Sequence, residues 1–135
     1  MANKNKKFIP SPEEIKAFIK LSEDSLKSAQ LRLEEDFFRG TVSDAYYAAF
    51  YIVKAALINK GIISKTHSGT INLFGENFVK NRQVDEKYGK WLKELLKERT
   101  DATYEALREF SHQEAKEALE QSEKFVKEIK KLVGK

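Results

Sequence analysis

Cysteine is absent from the chain, and with it go disulfides, thiolate nucleophiles and cysteine-bound zinc. Histidine is nearly as scarce. His67 and His112 are the two present, and neither has another histidine or a carboxylate at a spacing that reads as a metal motif, so no metal or cofactor is expected. Glycine and proline are thinly spread. Gly69 and Gly75 bracket a short stretch without the spacing of a nucleotide fingerprint, and no phosphate-cradling glycine loop or G-x-S-x-G elbow occurs. Sustained period-two alternation, hairpin dipeptides between apolar runs and internal repeats are all missing, which argues against a β architecture. No apolar run reaches the roughly 18 residues that a membrane helix needs. The opening MANKNKKFIP has lysines with no apolar run behind them, so we expect no secretory signal, no membrane contact and a cytoplasmic protein.

What the sequence does contain is helical pattern. Thr41–Gly61, TVSDAYYAAFYIVKAALINKG, is the stretch the rest must be arranged around: from Val42 to Ile58 only Ser43, Asp44 and Lys54 are plainly polar. A helix apolar on nearly all sides has to be enclosed by other elements. One polar seam remains, because Ser43, Tyr47, Tyr51 and Lys54 follow at four-, four- and three-residue steps along one face. That seam either packs with its hydroxyls bonded or lines a cleft.

The other helices carry their own start signals. Ser11-Pro12-Glu13-Glu14 reads as a capping box with proline at the first helical position, followed by an apolar stripe through Ile15, Phe18, Ile19, Ser22, Leu26, Ala29 and Leu33 to about Glu35. Asp36–Gly40 is the expected connection, with Asp36 or Thr41 as the cap of the central helix. Gly61 should stop that helix. Thr66 is expected to cap a short third helix that buries Ile71, Phe74, Phe78 and Val79. A fourth begins near Asp85 and places Tyr88, Leu92, Leu95, Leu96 and Arg99 on one stripe. The last starts at the capping box Ser111-His112-Gln113-Glu114, runs past Leu132 and should stop at Gly134. The expected fold is all-α: one domain, residues 1–135, with a core over about 11–133, a tail over 1–10, and an antiparallel up-and-down bundle of four long helices plus one short helix. With 25 basic residues against 21 acidic ones, the net charge of +4 permits nucleic-acid binding without requiring it.

Arg99 is the most informative single residue, because an arginine occupies a position the stripe reserves for apolar side chains. A guanidinium taken into a fold needs a carboxylate, several carbonyls or a bound phosphate, or else it snorkels to water. Asp44, Glu98 and Asp101 are the candidate ion-pair partners. Tyr104 follows five residues later, which in an unbroken helix sets it about 140° round from Arg99, so the two converge only across a bend or from another subunit. His67, within Lys65-Thr66-His67-Ser68-Gly69, sits where a helix N-terminus can take an anion on its free N–H groups, or serves merely as a packing residue. His112 reads as surface.

Taken together, Ala45-Tyr46-Tyr47-Ala48-Ala49-Phe50, Lys65-Thr66-His67-Ser68-Gly69 with Phe74 and Phe78-Val79, and Arg99 with Tyr104 resemble the HEPN domain (higher eukaryotes and prokaryotes nucleotide-binding domain), in particular its small stand-alone prokaryotic members. The resemblance spans about residues 11–133. It implies a helical bundle that forms homodimers and acts with a minimal nucleotidyltransferase in toxin–antitoxin-like modules. Many members are metal-independent ribonucleases whose signature is an arginine, four to six residues, then a histidine. Arg99 fits the arginine, but Tyr104 stands where the histidine belongs, and Arg108 to His112 is one residue too short to replace the pattern. Tyrosine, with an ordinary pKa near 10, is a poor proton acceptor at neutral pH, although it still donates a hydrogen bond. The resemblance therefore implies a protein that binds a nucleotide or an RNA phosphate through Arg99, Tyr47, Asp44, Lys65, His67 and Ser68. The alternatives are a ribonuclease that draws on Arg99, Tyr104 and His67, or a purely structural interaction partner.

Overall fold

Four of the five helices begin where the sequence supplies a side-chain cap. In the computed structural model, which describes residues 11–133, Ser11 accepts from the Glu14 amide to open α1 (Pro12–Glu34), and Thr66 accepts from Gly69 to open α3 (His67–Phe74). Asp85 opens α4 (Glu86–Tyr104), and Ser111 and Glu114 exchange both bonds of a capping box at α5 (His112–Lys130). The central helix α2 (Phe38–Asn59) departs from expectation: neither Asp36 nor Thr41 caps it, and it begins inside the expected connection. The cause lies in the preceding turn. Asp36 adopts a left-handed conformation (φ 60°), the Asp36 amide bonds Leu33 O and the Phe37 amide bonds Arg32 O, so α1 closes in a Schellman motif and the chain is free to coil again at once. Gly61 (φ 76°) ends α2 with the same two bonds, as expected of a glycine there. Beyond Phe74 the helix does not stop but loosens into a π-helical turn, Gly75–Val79, where the Lys80 amide bonds Gly75 O. The expected stop at Gly134 and the tail 1–10 lie outside the described residues. No strand occurs among the described residues.

α2 is the hub, in contact with α1, α3, α4 and α5. Val42, Ala45, Tyr46, Ala48, Ala49, Ile52 and Val53 are fully buried. Its alanines let neighbouring helices reach its backbone: Ser22 of α1 donates to Ala48 O at 2.6 Å, and Ser122 of α5 donates to Ala45 O at 2.7 Å. Those two hydroxyls lie within apolar stripes, and the carbonyl contacts explain why serine is tolerated in both. The contact pairs fix direction. Phe18 meets Tyr51 while Ser28 meets Asp44, so α1 and α2 run oppositely. Tyr88 meets Phe125 while Glu94 meets Gln121, so α4 and α5 do as well. Full burial of each large side chain here is worth about 1.5–3 kcal/mol.

Candidate functional site

Leu92 and Leu95, both fully buried, set the face of α4 that meets α2, and Arg99 follows one turn later on that face. Its side chain is half-buried. Nη2 donates to the Tyr47 hydroxyl at 2.7 Å, the guanidinium carbon lies 5.3 Å from the centre of the Tyr47 ring, and Nε is buried without a partner. Among the described residues Arg99 makes no ion pair. Two of the three expected carboxylates are engaged elsewhere. Asp44 pairs with Arg32 at 3.0 Å and accepts from Ser28 at 2.6 Å, both on α1. Asp101 pairs with Lys97 at 3.1 Å. Glu98 is half-buried and held above the usual carboxylate range, chiefly by burial and then by Glu114.

His67 reaches the same neighbourhood from the first turn of α3. Its Nδ1 lies 2.6 Å from the Tyr46 hydroxyl, and its ring centre is 4.6 Å from that of Phe50 and 6.0 Å from that of Tyr47. Burial, then the fields of Arg99 and Lys54, push the imidazole below its ordinary value, so it is neutral at pH 7. Burial also raises the Tyr46 phenol, which stays protonated. His67 is the sole hydrogen-bond partner of Tyr46 among the described residues, and a phenol with one partner puts its proton to use only by donating to Nδ1, which assigns His67 the tautomer with its proton on Nε2. In that assigned tautomer Nε2 is a donor and not a proton acceptor. Lys54, further along the seam, donates to Ser64 O at 2.6 Å; burial lowers its pKa and the field of Glu14 opposes this.

Two further expected residues, Lys65 and Ser68, are exposed at the N-terminus of α3. Tyr104 does not join the cluster. α4 continues unbroken to that residue, so Tyr104 points away from Arg99 and is 71% exposed. His112 is exposed, with its ring edge-on to Phe38. A groove of about 1020 Å³ lies between the α1–α2 turn and the α4–α5 connection, and none of Arg99, Tyr47 or His67 lines it.

Sequence reasoning missed the role of Arg39. It donates to Ala102 O at 2.6 Å, to Glu105 O at 3.4 Å and to Arg108 O, and so ties the end of α4 and the start of the connection to α2. Tyr46 and Phe50 entered only as part of the stretch that carries the resemblance, although Tyr46 hydrogen-bonds His67 and Phe50 backs its ring. The signal available was a lone histidine ahead of a helix in a chain whose central helix is crowded with aromatics.

The HEPN domain family model matches residues 15–132. The chain belongs to the HEPN domain family. Archaeal and bacterial proteins are among those it is similar to. A Methanocaldococcus jannaschii protein named “putative toxin” is 35% identical over 121 residues, 90% of each chain. A UPF0332 protein of Thermotoga maritima is 33% identical over 82% of this HEPN chain and 83% of its own. Another UPF0332 protein, from Pyrococcus horikoshii, is 43% identical over 60% of this chain and 57% of its own.

Proposed function

We propose that this HEPN protein holds a phosphate of a nucleotide or an RNA strand on Arg99, within a toxin–antitoxin-like module whose other member is a minimal nucleotidyltransferase. The observation that carries the reading is the Arg99 guanidinium: half-buried, braced by one neutral hydroxyl, with a buried N–H left over and, among the described residues, no carboxylate paired with it. Such a group is costly to keep unless an anion visits it. In the assigned tautomer His67 adds an Nε2–H, and Lys65 and Ser68 flank it at a helix N-terminus, where free amides favour a phosphate. The toxin names of the M. jannaschii relatives agree with a regulated module.

The scaffold we infer is the up-and-down bundle of four long helices plus the short α3, in a cytoplasmic homodimer. Tyr104, which its own chain holds away from Arg99, enters the site only if a second copy supplies it. The ribonuclease reading needs a proton acceptor beside Arg99, and the tautomer favoured by Tyr46 leaves His67 unsuited to that task. Incubating labelled RNA with the protein in chelator tests both readings, with Arg99→Ala as control. Retention of intact RNA by the wild type, lost in Arg99→Ala, is the expected result. Cleavage by the wild type alone would favour the ribonuclease. Absence of both would leave an interaction protein.

A further inference from the structure

Lys54 interrupts the central helix between Val53 and Ala55, both fully buried, and its own half-buried side chain makes no ion pair among the described residues. An ammonium drawn partly out of water is costly to keep unless its donors are used. They are used on one residue. Nζ donates to Ser64 O at 2.6 Å and to Ser64 Oγ at 3.3 Å, and the centre of the Phe18 ring lies 5.6 Å away. Ser64 is itself buried, in the connection between Gly61 and α3. Its hydroxyl lies 2.7 Å from Oγ1 of the buried Thr70, and that Oγ1 lies 2.7 Å from Thr66 O. One proton on each hydroxyl uses every donor in a single order: ammonium to Ser64, Ser64 to Thr70, Thr70 to the Thr66 carbonyl. Thr66 is the cap of α3. A helix of eight residues does not hold itself together in water, so α3 keeps its place only through ties of this kind.

We propose that Lys54 is a positioning residue whose ammonium, acting through Ser64 and Thr70, fixes the first turn of α3 and so keeps His67 against Tyr46 and Phe50. The proposal rests on the reading of that turn as part of the phosphate site, and it gives Lys54 no contact with the ligand. Two of the three N–H groups of the ammonium are committed to Ser64, so its charge serves the scaffold and not a phosphate. Its field still falls on His67. After burial and the field of Arg99, it is the third cause that holds the imidazole below its ordinary value.

The test compares Lys54→Met, which keeps an apolar stem and drops the ammonium, with Ser64→Ala, which keeps the ammonium and cuts the run of hydroxyls. Two readouts are taken: the titration of His67 followed by NMR, and the affinity for a short single-stranded RNA over a range of salt. Both variants are expected to move the His67 pKa up toward its ordinary 6.5, Lys54→Met further because the field of the ammonium is lost as well. Both should bind the RNA more weakly, Lys54→Met by about tenfold, with the salt dependence of the wild type. A slope shallower by about 0.7 in Lys54→Met would mean that the ammonium touches a phosphate, and it overturns the proposal. A Ser64→Ala protein that matches the wild type in both readouts overturns it too, because the run of hydroxyls would then carry nothing. Circular dichroism checks that each variant is folded, and Ser64→Ala alone decides if Lys54→Met is not. If Arg99→Ala holds the RNA while His67 shifts in both variants, the phosphate seat fails and the positioning role stands. If Arg99→Ala releases the RNA while Ser64→Ala changes neither readout, the seat stands and the positioning role fails.

Discussion

Arg99 leaves one N–H without a partner inside the protein, and an unsatisfied buried donor costs about 1–3 kcal/mol. Leucine there would continue the stripe of Leu92 and Leu95 and remove that cost. Arg99→Leu is therefore expected to match or exceed the wild type in stability, by about 1 kcal/mol in urea titration, while losing the RNA. A large loss of stability would make Arg99 a structural residue instead. Tyr47→Phe removes the hydroxyl that aims the guanidinium, so it should weaken RNA binding while costing about 1 kcal/mol in stability. For His67 the relevant variable is pH. Its folded-state pKa lies below the ordinary 6.5, so as the pH falls the unfolded chain takes up a proton before the native one does. The stability from neutral His67 is complete above the unfolded value and is lost as the pH drops through it toward the folded value. Urea midpoints measured from about pH 7.5 down to about pH 5 should fall more steeply for the wild type than for His67→Phe. Parallel curves would contradict the neutral imidazole.

The elements owe their positions to α2, and the part of that arrangement most open to test is the grip of Arg39 on the end of α4. Three carbonyls from residues far along the chain converge on one planar fork. Arg39→Ala is expected to destabilise the protein by about 2–3 kcal/mol and to speed hydrogen exchange over residues 105–110, and Arg39→Lys should not rescue it, because an ammonium cannot span the carbonyls. Uniform exchange across the variant would argue against a local role. This contact also marks what the sequence could and could not disclose. Ser11, Thr66, Asp85 and Ser111 announce their helices because a cap is a contact over two or three residues. The start of α2 was hidden because nothing in Asp36-Phe37-Phe38 says that an aspartate will turn left-handed. Arg99 was legible as an intruder on an apolar stripe. Its bond to Tyr47, and that of His67 to Tyr46, span 52 and 21 residues, and such pairings exist only once the helices have packed. For Tyr104 the helical spacing already set it about 140° round from Arg99 unless a bend or a second subunit intervened, and the unbroken helix keeps the two side chains apart within one chain.

At the scale of the molecule, the net charge is a modest +4, with 25 basic residues against 21 acidic ones. On the proposed reading RNA is held by few phosphate contacts, so the dependence of its affinity on salt should be shallow, with a slope of about −0.7 for each phosphate neutralised. The most direct measurement is the affinity for one single-stranded RNA, by fluorescence anisotropy over a range of salt, for the wild type and for Arg99→Ala. The account predicts that the substitution weakens binding at least about tenfold at low salt and flattens the slope by about one phosphate contact. Equal affinity and equal slope for the two proteins would contradict it.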